Sequence, residues 1–399
     1  MRAALLTTSL VFALTLAAKQ AAQAQVASLA ATTALPAPPA PVGTDNRLRT
    51  PLDAAVHQAA GRYMAQPAAV GLSIALYRGG QQYFYNYGEV EKGTGRRPTA
   101  TTYYDMGSVA KTFVGTLLAQ AVLDKKAQLT DDIRRYLPGH YPNLEVAGHP
   151  VRLVDLANHT SGLPGTSHVY PQALGDSLRA LPLAPRIAYY NRYSADSLLA
   201  DLHHLQLTAQ PGTTYRYNNL GPLLLQLLLE RMYRQPYEQL VTRYVQHHFG
   251  MHDTKRVLSA AEQARYAIGY DERQRGQAHP NYTGYWGGTN LSSTPADLLR
   301  YAAANLAAHD PAVRLAHQRT TTLPEGYAVG LAWRLDTDPA GQARSYHSGR
   351  FPGYHTWLAL YPGQDAAVVV LVNDNISQDR LTELGQQLQQ ALAPAGAAQ

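Results

Sequence analysis

The sequence predicts a mixed α/β fold: one discontinuous domain of strands and helices, interrupted by an all-helical insertion. Three observations lead there. Runs rich in β-branched and aromatic residues sit near both ends of the 399-residue chain. Between about residues 129 and 253 the periodicity is mostly helical, broken by Pro-Gly punctuation. Apolar residues make up 45% and charged residues 16% of the chain, enough to bury a large core under a quiet surface.

Each element follows from local sequence. "VGLSIALYRGGQQYFYNYGEVE" is two β-rich runs joined by Gly-Gly, which predicts a hairpin. "SVAKTFVGTLLAQAVLD" places Val109, Ala110, Phe113, Val114, Leu117, Leu118, Ala121 and Val122 around nearly the whole circumference of a helix, so that helix is buried on all sides. Ser108 stands at its start, after Gly107. The insertion reads as helices in "LTDDIRRYLPG", "VRLVDLANHTSGLPG", "SADSLLADLHHL", "LGPLLLQLLLERMYRQ" and "PYEQLVTRYVQHHFGM". "SSTPADLLRYAAANLAA" opens with Thr294-Pro295, an N-cap followed by proline at the first helical position. "RSYHSGR", "YHTWLALYPG" and "DAAVVVLVN" predict consecutive antiparallel strands, and a helix over about Asp379–Leu392 closes the chain.

The ends carry other signals. Residues 1–24 have an early Arg2, an apolar stretch over about Ala3–Ala18 and the small-x-small triplet Ala22-Gln23-Ala24, which predicts a signal peptide cleaved after Ala24 and export to a periplasmic or extracellular space. The apolar stretch is too short for a comfortable membrane span, so no stable membrane anchor is expected after cleavage. Residues 25–46 are rich in Ala, Pro and Thr and read as a flexible linker. The remaining chain divides into 47–135 plus 265–399 for the α/β part and 136–264 for the helical part.

Composition removes several function classes. The net charge is +6, the arginines are scattered, and no basic run is interleaved with aromatics, so nucleic-acid binding has no support. The absence of cysteine excludes disulfides and thiolate zinc sites. There is no His-Glu-x-x-His, and His203-His204 and His247-His248 lie on helical segments where adjacent side chains diverge, so no metal site is expected. No cofactor is expected either.

Lysine usage is the unusual feature. Of 34 basic residues only six are lysine, at 19, 92, 111, 125, 126 and 255. Lys111 lies inside the buried helix, three residues after Ser108 and therefore on the same face, one turn away. Arginine is always protonated, whereas a lysine at a buried helix N-terminus is disfavoured as a cation and can serve as base to a neighbouring hydroxyl. A serine before a helix is also an ordinary cap, so the pair alone does not decide between the two roles. No Gly-x-Ser-x-Gly elbow is present to offer a different nucleophile.

Ser108-Val109-Ala110-Lys111 resembles the Ser-x-x-Lys motif of serine β-lactamases and penicillin-binding proteins. That family carries a second motif, Tyr-x-Asn, for which three spellings occur: Tyr141–Asn143, Tyr189–Asn191 and Tyr217–Asn219. The last sits in "QPGTTYRYNNLGPLLLQLLLERMYRQPYEQLVTRYVQHHFGMHDT", which resembles the family's run of Pro-Gly, Tyr-x-Asn, long apolar helix and Gly-Met-x-Asp-Thr. His347-Ser348-Gly349 resembles its third motif, and "LANHTSGLP" and "GGTNLSSTPADLL" resemble linking segments. The likeness runs from about Arg47 to Asn373 with the motifs in order. It implies an α+β, β-lactamase-like fold: a five-stranded antiparallel sheet flanked by helices, plus a helical domain, with the active site between. Tyrosine in the second motif and His-x-Gly in the third point to the class C and DD-peptidase/esterase branch.

The resemblance implies roles residue by residue. Ser108 is the nucleophile, and Lys111 and Tyr217 share the proton work, with the base left open between them. Asn219 hydrogen-bonds the substrate amide or the lysine. The backbone around Gly349, with the N–H groups of Ser108 and Arg350, forms the oxyanion hole. His347 orients the substrate's leaving side or carboxylate. A mostly neutral imidazole there is a weaker carboxylate site than the lysine of dedicated β-lactamases, unless Arg350 faces the cleft. The expected activity is that of an exported serine hydrolase acting on a small-molecule or peptide substrate: a D-amino-acid peptide such as a cell-wall stem, or an ester. The alternatives are a class C-type β-lactamase and a non-catalytic penicillin-binding-like sensor module. Residues 165–192 are expected to rim the cleft.

Overall fold

The computed structural model describes residues 43–164, 172–279, 282–285, 291–322 and 328–392. The expected signal peptide and most of the expected linker lie outside these residues. Gly43–Asn46, assigned to the linker by composition, are held against the second strand: the amide and side chain of Asn86 donate to Asp45 at 2.8 and 2.7 Å. A polar Asp-Asn pair outweighs the Ala/Pro bias of the residues before it.

Helix α1 (Pro51–Met64) opens on a capping box between Thr50 and Asp53. Strands β1 (Gly71–Arg78) and β2 (Gln81–Gly88) form the predicted hairpin. Gly79 and Gly80 both have positive φ, as a two-residue hairpin turn requires. A 3₁₀ turn (Gly107–Ala110) leads into α2 (Lys111–Leu123), so the predicted helix is present but starts with a tighter turn. In the helical segment α3 (Leu220–Tyr233) is the long apolar helix. Helix α4 (Pro295–Ala307) is capped by Thr294, whose side chain accepts from Asp297 N–H.

The C-terminal part supplies short strands β3 (Thr321–Thr322), β4 (Ala328–Val329) and β5 (Arg334–Thr337), and long strands β6 (Ala343–Phe351), β7 (Tyr354–Tyr361) and β8 (Ala366–Val372), before α5 (Gln378–Leu392). All pair antiparallel in the order β2-β1-β8-β7-β6-β5-β4-β3. The five long strands make the expected five-stranded sheet, and three short ones extend it to eight.

Burial explains the order of layers. Along β8, Val368, Val370 and Val372 pack with Val56, Tyr63, Leu381 and Leu384 of α1 and α5. The alternate residues Ala367, Val369 and Leu371 pack on the opposite face with Phe113 and Leu117 of α2 and Leu298 of α4. "AAVVVLV" is therefore apolar at every position because both sheet faces are covered. The second cluster continues through Leu223, Leu224 and Leu228 of α3, so the core runs unbroken across the expected boundaries at 135 and 264.

Candidate active site

Ser108 lies in the 3₁₀ turn between the sheet and α2. Two close approaches put it there. Gly107 has φ +50°, and a Cβ on it would lie 2.6 Å from Arg350 N. A Cβ on Gly349 would lie 2.0 Å from the Met106 carbonyl oxygen and 3.2 Å from Ser108 N. The backbone of β6, around Gly349 and Arg350, therefore passes directly over the turn that carries Ser108. N–H groups in the first turn of a helix have no intrahelical partner, which leaves the Ser108 amide available to an oxygen of the substrate. Behind the turn, Asp105 accepts from Gly107 N–H at 3.0 Å. Asp105 is buried, and burial raises its pKa to about 7 against that hydrogen bond.

The side chains converge from three separate parts of the chain. Lys111 Nζ donates to Ser108 Oγ at 2.9 Å, and Tyr217 OH donates to the same oxygen at 2.6 Å. Lys111 is 5% exposed, and its Nζ lies 5.3 Å from the centre of the Tyr217 ring. The Arg334 guanidinium stands 6.0 Å from that ring. Burial of the Tyr217 hydroxyl pulls its pKa up, but Lys111, the hydrogen bonds to Ser108 and Lys111, and Arg334 outweigh it, so the phenol ends below the ordinary tyrosine value.

Tyr217 and Asn219 come from the loop before α3. Asn218 takes the capping role: its Oδ1 accepts from Gly221 N–H at 2.7 Å. Asn219, at the N-cap position but with no capping bond, instead lines the cavity. Among the described residues no hydrogen bond joins Asn219 to Lys111, and Asn219 is exposed to the cavity. The rival spellings serve structure. Asn143 donates to the Leu202 and Leu205 carbonyls, and Asn191 accepts from Thr283 and Gly284 N–H.

His347 does not reach the cavity. It is 3% exposed, and its Nδ1 donates to the Ser348 carbonyl oxygen at 2.7 Å. Burial first, then Arg334 and Lys111, push its pKa down to about 3, so the imidazole is neutral. It is not among the residues that line the cavity. Arg350, whose direction strand alternation left open, faces the cavity and pairs with Glu272 at 3.1 Å. The cavity holds about 580 Å³ and has Ser108, Tyr217 and Asn219 on its floor. Its wall adds Arg186, Arg273 and Arg275; of these, Arg273 and Arg275 carried no sequence signal. Of the expected rim, residues 165–171 lie outside the described residues, while Leu181, Leu183 and Arg186 contribute.

Of the two histidine pairs noted in the sequence, one member of each makes a local contact. His203 stacks on Tyr141 at 4.2 Å and His248 pairs with Asp310. Among the described residues no group of three His, Cys, Asp or Glu side chains could hold a metal ion.

The beta-lactamase family model matches residues 56–392, and the chain belongs to that family of serine hydrolases. Among curated relatives, a beta-lactamase of Lysobacter lactamgenus is 25% identical over 374 residues, covering 83% of this chain and 89% of that one. The D-alanyl-D-alanine-carboxypeptidase/endopeptidase AmpH of Escherichia coli strain K12 is 26% identical over 322 residues, covering 76% and 79%. The solved beta-lactamase/D-alanine carboxypeptidase of Pseudomonas syringae superposes with a TM-score of 0.72 at 23% identity, over 86% of this chain and all (100%) of that one. This last likeness concerns the fold.

Proposed function

We propose that the protein is an exported serine hydrolase that forms an acyl-enzyme on Ser108 and hydrolyses a D-amino-acid peptide or an ester. The observation that carries this is the convergence on one oxygen: Ser108 Oγ within 2.9 Å of Lys111 Nζ and 2.6 Å of Tyr217 OH, on the floor of an open cavity. A nucleophile with two proton-handling groups in direct reach is what acyl transfer requires.

In the first step Oγ bonds to the substrate carbonyl carbon while its proton passes into the Lys111–Tyr217 pair. The carbonyl oxygen becomes an anion received by the Ser108 and Arg350 amides. The C–N or C–O bond then breaks, and the leaving atom takes the proton from the same pair. Water repeats the sequence on the ester and frees Ser108. A base able to lose its proton is needed, which supports lysine and tyrosine here and would exclude arginine. Because His347 is neutral and buried, a substrate carboxylate would find its charge partner among the cavity arginines, where it would compete with Glu272 for Arg350 and with Asp271 for Arg275.

The relatives named as a beta-lactamase and as a D-alanyl-D-alanine-carboxypeptidase support acyl-enzyme chemistry on either a β-lactam or a D-alanyl peptide. The leader expected at residues 1–24 supports a wall-side location, and among the described residues no helix is long and apolar enough to cross a membrane. The test is intact mass after incubation with a penicillin, for the parent and Ser108→Ala. An adduct on the parent alone is expected. A long-lived adduct marks a peptidase and a short-lived one a β-lactamase. No adduct, together with no penicillin turnover and no ester hydrolysis, would overturn the hydrolase reading in favour of a binding module.

A further inference from the structure

The loop that presents Tyr217 is gripped by one residue from a distant part of the chain. His159 receives both amides that flank the tyrosine: Arg216 N–H donates to its carbonyl oxygen at 2.8 Å, and Asn218 N–H to its Nδ1 at 3.4 Å. Its ring packs on the Tyr217 ring, centroids 4.4 Å apart. Three contacts from one residue therefore bracket one side chain on both sides and along its face.

His159 is itself held in an unusual state. Its φ is +59°, the left-handed region where a non-glycine residue is uncommon. It is 5% exposed. The next residue is tied down, Thr160 N–H donating to Asp155 O at 2.9 Å. Backbone strain of this kind persists only where the surroundings over-determine it. To accept from Asn218, Nδ1 must lack a proton, which puts the ring proton on Nε2, a buried atom with no hydrogen-bond partner. Burial, then Lys111, His347 and Arg334, hold the ring neutral. A strained, under-satisfied histidine is a poor choice for stability alone.

We propose that His159 is a positioning residue for Tyr217, fixing the phenol so that its hydroxyl stays in line with Ser108 Oγ during proton transfer. The inference rests on the proposed proton role of Tyr217. It requires an acceptor at the Nδ1 position and a flat group against the phenol. Asparagine supplies the acceptor at the same place and tolerates the left-handed backbone. Leucine supplies bulk but no acceptor.

A double-mutant cycle tests it, with p-nitrophenyl butyrate as substrate and Ser108→Ala as the blank. His159→Leu is expected to lower kcat about 10- to 100-fold with KM nearly unchanged, because a small misplacement of a catalytic group costs on that scale. In a Tyr217→Phe background the same substitution should change kcat by less than about 2-fold, since there is no hydroxyl left to aim. His159→Asn should recover most of the loss, and it keeps the test open if the leucine variant folds poorly. Equal losses in both backgrounds, or an asparagine variant as poor as leucine, would overturn the inference while leaving the hydrolase reading intact. Full activity of Tyr217→Phe would overturn the proton role itself, and the positioning role with it.

Discussion

Asp105→Asn tests the ground on which Ser108 stands. The carboxyl of Asp105 holds Gly107 N–H at 3.0 Å, while its other oxygen, buried, has no partner. Burial raises its pKa from 3.8 to about 7. A carboxyl with a raised pKa binds its proton more tightly in the folded state, so its contribution to stability is complete below the unfolded value and is lost as pH climbs towards the folded one. The loss runs at about 1.4 kcal/mol per pH unit within that window. Asparagine mimics the protonated acid, keeping an acceptor for Gly107 and a donor at the second position. The stability difference between variant and parent should therefore swing towards the variant by about 2 kcal/mol from about pH 5 to about pH 7, then level off. Urea unfolding across that range reads it directly. Any fixed cost of the buried amide shifts both ends equally, and the titration of other groups cancels in the difference. A difference that stays flat with pH would refute the reasoning, for it would mean that Asp105 ionises in the fold as readily as in the open chain.

Two further outcomes follow from the same geometry. Gly349→Ala drives a methyl to 2.0 Å from the Met106 carbonyl, so β6 must retreat from the turn; a loss of at least about 2 kcal/mol is expected by urea unfolding. Penicillin acylation should fall with it, because the Arg350 amide leaves the reacting spot. His355 is 2% exposed with neither ring nitrogen partnered, and burial followed by Arg350 lowers its pKa to about 4. It is stabilising as the neutral ring above the unfolded value of 6.5, and that is lost as pH falls towards 4. His355→Leu should therefore lose about 1 kcal/mol less than the parent between about pH 6 and about pH 5.

Much of this protein was legible in the sequence because the deciding physics is local. The Gly79-Gly80 hairpin, the all-round apolar helix after Ser108, the Thr294-Pro295 start and the doubly buried β8 each follow from residues close along the chain. So does the Ser108–Lys111 pair, because three residues on a helix are neighbours whatever the rest of the molecule does.

The tertiary structure decided what depends on chain segments meeting. The three Tyr-x-Asn triplets are spelled alike; the surrounding sequence favours Tyr217–Asn219, and packing brings Tyr217 to Ser108 while Asn143 and Asn191 bind backbone elsewhere. Packing also buried His347 and turned Arg350 to the cavity, since the depth of a strand residue depends on what covers the sheet and not on its alternation. It set His159 against Tyr217 and Asp105 beneath Gly107, and gave both their shifted protonation. Burial and the charge of neighbours are properties of three-dimensional surroundings, and no periodicity along the chain encodes them.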